Sequence, residues 1–144
     1  MWASQAQYQG VFLWPSNSSA SQRFDLLDSG RGYFRIRARH SGQCLMPDWR
    51  TGSYTNGTPI VQHGGACVAS YKPAEWRWVD VNRRDGTHRP DPGSVFTEKI
   101  LVNRMTGKCL DAGNSAGSRP PVQAILQQCS DDWNADNQLW RDWY

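Results

Sequence analysis

Four cysteines are the most reactive side chains in this sequence of 144 residues, and their spacing limits what they can do. Cys44 precedes Cys67 by about the same stretch as Cys109 precedes Cys129. Neither pair has the close Cys-x-x-Cys spacing of a zinc knuckle or a redox dithiol, so two disulfides fit better than a metal centre. Bridges of that kind imply an oxidising compartment, and the chain is expected to be secreted or extracellular. His40, His63 and His88 show no spacing that suggests metal ligation or a proton relay. No His-Glu-x-x-His or phosphate-cradling glycine loop is present. With the cysteines bridged, no thiol is left as a nucleophile, and the sequence reads as non-enzymatic, without a metal or cofactor.

Charge carries a second possible chemistry. Arg35, Arg37 and Arg39 alternate with Phe34, Ile36 and Ala38, which lines three guanidinium groups along one face of a strand. That face is read as solvated; the alternative is contact with an anionic glycan or an acidic protein, joined by Arg83, Arg84, His88 and Arg89. A net charge of +3 from 16 basic and 13 acidic side chains is too mild and too dispersed to point to nucleic acid. No run approaches the roughly 20 apolar residues of a membrane-spanning helix, so membrane insertion is not expected. Met1–Gln7 lacks the basic start and apolar core of a signal peptide, and the sequence is read as a mature form or one with an added Met.

The elements that must position these groups follow from composition and from self-similarity. Eight Trp, five Tyr and four Phe, punctuated by 13 Gly and 8 Pro, favour short strands and many turns in one domain. Residues 34–45 align without gaps on residues 99–110, matching Arg39 with Arg104, Gly42 with Gly107, Cys44 with Cys109 and Leu45 with Leu110. Each copy reads strand, tight turn, strand, and Trp78 and Trp140 follow Cys67 and Cys129 at the same distance. A clipped third copy lies at Val11–Phe24, where Gln22-x-Phe24 matches Gln138-x-Trp140 and Ser16 takes the cysteine's place. The expected division is a partial repeat over 1–32, a repeat over 33–81, an exposed loop over 82–97 and a repeat over 98–144, with Phe24, Trp78 and Trp140 in a common core.

Gly-x-Cys-Leu, a second Cys about twenty residues on and a closing Gln-x-Trp together resemble the ricin B-type lectins, also known as family 13 carbohydrate-binding modules. The resemblance is strongest over residues 33–45 and 98–144. It implies an all-β fold, a β-trefoil of three pseudo-repeats whose first is incomplete. A trefoil without its first strand exposes backbone groups at the closure of the barrel. Met1–Gln9, Arg141–Tyr144 or a partner chain could cover them.

The resemblance also implies shallow sugar sites built from an Asp after Cys-Leu, an aromatic platform before the second Cys, and the Asn-Gln pair of the closing motif. A carboxylate accepts from vicinal hydroxyls, amides donate and accept, and a pyranose face lies on an aromatic ring. The third copy keeps Asp111, Asn137 and Gln138, but Gln127 stands at the platform, where Trp133 could substitute. The second has Met46 for Asp, Gly65 at the platform and Glu75-Trp76 for Asn-Gln; Asp48, Trp49, Tyr54 and His63 could form something different. The first retains Trp14 and Gln22. Beside these stand plainer readings: Asp111 capping backbone amides, and Gln138 anchoring the closing strand. Trp14, Trp49 and Trp133, among turn residues, are expected to be partly exposed. The function implied is a lectin module for galactose-type or related sugars, targeting a secreted assembly such as a toxin or glycosidase to a glycan surface. The alternative is a degenerate trefoil that serves as a structural or receptor-docking subunit, its first repeat completed by a partner chain.

Overall fold

The computed structural model describes residues 4–15, 17–80, 99–113, 121–130, 138 and 140. The expected loop over 82–97 lies outside them. The described elements are ten strands joined by turns and short 3₁₀ segments: β1 (Phe12–Leu13), β2 (Phe24–Gly30), β3 (Tyr33–Ala38), β4 (Cys44–Pro47), β5 (Ile60–His63), β6 (Glu75–Asp80), β7 (Lys99–Asn103), β8 (Cys109–Asp111), β9 (Val122–Gln123) and β10 (Ile125–Gln127). The fold is all-β, as expected.

Equivalent strands of different copies meet in the same register. The β3–β4 and β7–β8 turns are superimposable in their bonds: Gly42 N donates to Ala38 O at 2.8 Å, and Gly107 N donates to Asn103 O at 2.9 Å. Both glycines have φ +69°, a left-handed conformation that a side chain would oppose. Arg39 N donates to Arg23 O where β2 meets β3, and Arg104 N donates to Glu75 O where β6 meets β7. At the centre, Val11 N donates to Ile60 O, Ile60 N to Ala124 O and Ala124 N to Val11 O, at 2.9, 2.9 and 2.8 Å. Bridges Gly10↔Val61, Pro59↔Ile125 and Phe12↔Gln123 flank this closed ring with the same threefold order. Three short strands, one per copy, thus satisfy one another's backbone groups around a single axis.

The core collects on that axis. Phe34, Ile36, Leu45, Ile60, Trp76, Leu101, Leu110 and Leu126 are buried together, with Val11, Trp78 and Trp140 packed against them. Disulfides join Cys44 to Cys67 and Cys109 to Cys129, with Cα atoms 5.2 and 4.9 Å apart. Each ties a second strand to the segment after its third.

Two expectations about the core need correction. The closing aromatic of the second copy is Trp76, not Trp78: Phe34 pairs with Trp76 as Lys99 pairs with Trp140. Trp76 Nε1 donates to Leu45 O at 3.3 Å, and Trp140 Nε1 to Leu110 O at 3.1 Å. The second copy is shorter than the third after its second cysteine, so equal spacing from that cysteine selects the wrong tryptophan. Phe24, the first copy's closing aromatic, is 40% exposed rather than buried. Among the described residues β2 pairs with β3 alone, so no second strand covers this ring there.

Candidate functional site

In the third copy, Asp111 ends β8 directly after Cys109 and Leu110. It is only 2% exposed. Gly113 N donates to its Oδ1 at 2.7 Å, and Gln138 Nε2 donates to its Oδ2 at 2.9 Å. Gly113 has φ +70°, and a Cβ there would meet Gln123 O at 2.7 Å, so this turn admits glycine alone. The Gln138 amide is also buried and does more than hold the carboxylate. It donates to Gln128 O at 3.0 Å and accepts from Ser130 N at 2.9 Å, which pins the closing segment to the end of the third strand. Asp111 capping a backbone amide and Gln138 anchoring its strand are therefore both present, and the two side chains also hold each other.

Gln127 lies on β10 opposite Cys109, and Asp111 opposite Ile125. Cys109 and Asp111 share a face of β8, so Gln127 is a diagonal neighbour of Asp111 and stands in the platform position. Trp133 and Asn137 lie outside the described residues. Trp14 belongs to the first copy, where it is 49% exposed beside the barrel mouth. Gln22 there repeats the Gln138 pattern: Oε1 accepts from Asn17 N at 2.8 Å and Nε2 donates to Pro15 O at 2.9 Å.

The second copy differs from expectation in register. Cys44 faces His63 as Cys109 faces Gln127, so His63 occupies the platform place and Gly65 does not. Ala74-Glu75-Trp76 corresponds to Gln138-Leu139-Trp140, which puts Ala74 where the amide would be. Met46 and Ala74 are both fully buried, so this copy has no polar pair like Asp111 and Gln138. Glu75 turns the other way, accepting from Ser70 N at 2.9 Å and from Arg104 Nη1 at 2.5 Å.

Above this copy sits a cluster to which Asp48, Trp49 and His63, three of the four residues singled out in the sequence, belong. The Arg50 guanidinium lies 4.0 Å over the Tyr8 ring, whose centroid is 4.7 Å from that of His63 and 6.1 Å from that of Trp49. Asp48 accepts from Arg50 Nε and Nη2, both at 3.0 Å. That side-chain bond holds the Asp48 carboxyl below its ordinary range, against the opposing cost of burial. Tyr8 could not have been placed here from the sequence, because a contact across more than forty residues leaves no local signal.

The arginine face is tied down as well. Arg39 Nε and Arg37 Nη2 donate to the Asp25 carboxylate at 2.8 and 3.3 Å, while Arg35 bonds Ser29 Oγ, Asp28 O and Cys67 O. Among the described residues no group of His, Cys, Asp or Glu could hold a metal ion, and no helix is long and apolar enough to cross a membrane.

A family model described as a ricin-type β-trefoil lectin domain-like fold matches residues 2–63, the stretch that contains the short first copy. The fold is a β-trefoil. A designed threefold-symmetric protein, ThreeFoil, superposes on the trefoil with a TM-score of 0.72 at 27% identity, covering 96% of this chain and 84% of that one. The ricin B-like lectin of Macrolepiota procera, solved in complex with lactose, gives 0.60 at 18% identity over 88% of this chain and 73% of that one. Cytolethal distending toxin of Haemophilus ducreyi gives 0.61 at 16%, covering 94% and 70%. A comparison with curated proteins gives no match.

Proposed function

We propose that this trefoil is a non-catalytic carbohydrate-binding module of a secreted assembly, with its sugar seat at the third copy. The observation that carries the reading is the Asp111–Gln138 pair, a carboxylate oriented by an amide and a backbone N–H. A carboxylate accepts at about four positions, which is the chemistry that the vicinal hydroxyls of a galactose-type sugar require. The lactose-bound neighbour with the same fold supports this choice of ligand class. Gln127 offers an amide where a stacking ring would stand, and a shallow seat without a ring buries little of a monosaccharide. The dissociation constant expected is on the order of millimolar, with useful strength only through several copies on one assembly.

Titration calorimetry with galactose, lactose and longer oligosaccharides tests the reading. Asp111→Asn keeps an acceptor for Gly113 N, so it should leave the fold intact and abolish sugar binding. Gln127→Trp should restore a platform and tighten binding by about tenfold, the gain of one stacked ring. No heat with the unaltered chain at tens of millimolar sugar, or binding unchanged in Asp111→Asn, would remove the third copy as the seat.

A further inference from the structure

The ring cluster above the second copy stands on a backbone that has to be held in place. Tyr8 has φ +61°, the left-handed region that a bulky side chain rarely enters. Its N–H donates to Gln62 O at 2.8 Å, Gln62 N donates to Gln9 O at 3.0 Å, and Gly64 N donates to Gln7 Oε1 at 2.9 Å. Bonds to β5 and the turn after it therefore sustain the strained residue, a type of position that collects at ligand sites. The result is a Tyr8 ring beside His63, with the Arg50 guanidinium over its face.

Trp49 reaches the same ring from a single 3₁₀ turn, Trp49–Thr51, which Asp48 caps at Arg50 N and Gly52 closes at φ +85°. Asp48 also accepts from Arg50 Nε and Nη2, so the ion pair is used internally, to fix the guanidinium over Tyr8. Trp49 meets Tyr8 edge to face and is left 48% exposed.

The open polar groups around these rings can all donate. His63 Nδ1 accepts from Gly65 N at 3.0 Å, which leaves the proton of the neutral ring on Nε2. Among the described residues, His63 Nε2, the Tyr8 hydroxyl and the Trp49 indole N–H have no partner, and the first two reach solvent. The carboxylate of the cluster, Asp48, is already engaged by Arg50. The third copy has the opposite inventory, a carboxylate and an amide with Gln127 in the place of a ring.

We propose that Tyr8, Trp49 and His63 form a binding site for a pyranose that carries a carboxylate, such as a uronic acid. The apolar face of the sugar lies on the open indole, and its carboxylate accepts from His63 Nε2 and the Tyr8 hydroxyl. The donors select the acid, because a carboxylate brings only lone pairs, whereas the hydroxyls of a neutral sugar also need acceptors. The site shares no residue with the Asp111 seat, and the inference does not rest on that reading.

Proton–nitrogen NMR of the whole chain, titrated with sodium glucuronate, reads the site. The Trp49 indole signal, assigned by its loss in Trp49→Phe, should shift saturably with a Kd of about 1 to 10 mM, the scale of a shallow contact. The methyl ester of glucuronic acid keeps the ring and loses the charge. It should bind about tenfold more weakly, the difference between a charge-assisted and a neutral hydrogen bond, in a comparison that leaves the protein unaltered. His63→Phe keeps a ring against Tyr8 and removes the Nε2 donor. It should lower glucuronate to the affinity of the ester and leave the ester unchanged, a split that structural damage would not produce. Absence of a saturable shift at about 100 mM glucuronate, beyond the range of any specific site, would overturn the proposal. So would equal binding of acid and ester, binding of acetate as strong as that of glucuronate, or displacement of glucuronate from Trp49 by lactose. Lactose binding without a glucuronate response keeps the Asp111 seat and removes this site, and glucuronate binding without lactose does the reverse.

Discussion

Trp76 and Trp78 lie two residues apart on one strand, point to the same side, and differ in what receives their ring. Trp76 is fully buried in the core with its N–H on the Leu45 carbonyl, while Trp78 is partly buried against Phe34, with ring centroids 5.7 Å apart. Trp76→Ala is expected to cost about 3 to 5 kcal/mol, the range for deleting a large buried aromatic, and Trp78→Ala clearly less. Chemical denaturation of both variants checks this, and the reverse order would restore the spacing-based register. The cysteine pairing was legible because Gly-x-Cys-Leu recurs without gaps. The closing aromatic was not, because the second copy is longer than the third between its cysteines and shorter after them, and only a backbone carbonyl across the core tells the two rings apart. Asp111 could be singled out from its place after Cys-Leu, whereas its burial under Gln138 depends on how two distant turns meet.

At the scale of elements, the β2–β3 hairpin is held on its outer face by ion pairs and on its inner face by residues only half covered. The hydrogen bond from Arg39 is the largest influence on Asp25 and lowers its pKa; Arg37 adds to this and burial opposes it. A carboxyl with a depressed folded pKa contributes stability that is fully present above the unfolded value and is lost as pH falls through the folded one. The hairpin should therefore hold at neutral pH and loosen in acid below the ordinary aspartate range, and Asp25→Asn should remove that part of the acid sensitivity. Amide exchange by NMR reads the same hairpin residue by residue. Asp25 and Leu27 amides, turned toward β3, should be protected, while Phe24 and Leu26 amides should exchange quickly. Uniform protection along β2 would mean that another segment already occupies the edge. The alternation of Phe34, Ile36 and Ala38 was readable from the strand period, and the arginine face did prove outward. The partner that organises it, Asp25, comes from the neighbouring strand, whose register no local pattern specifies.

Across the whole molecule, the threefold ring and the two bridges are the features that tie the copies to one another and to themselves. Val11, Ile60 and Ala124 each donate to the next copy, so none of the three bonds can open without loosening the centre on which all copies pack. Their amides should accordingly exchange only through global unfolding, the slowest class in the chain, although Val11 belongs to the shortest copy. The bridges act on a different state. They close separations of 23 and 20 residues, and shortening the unfolded chain's freedom over loops of that length contributes roughly 3 kcal/mol each. Paired replacement of Cys44 and Cys67 by Ala, and separately of Cys109 and Cys129, should thus lower global stability by similar amounts. The exchange free energies of all three ring amides should fall by the same amount in either variant, because a ring shared by three copies reports one unfolding reaction. If removing the second-copy bridge lowered protection at Ile60 but spared Val11 and Ala124, the copies would be opening separately. The ring would then be a contact between independent units rather than the cooperative centre of the fold.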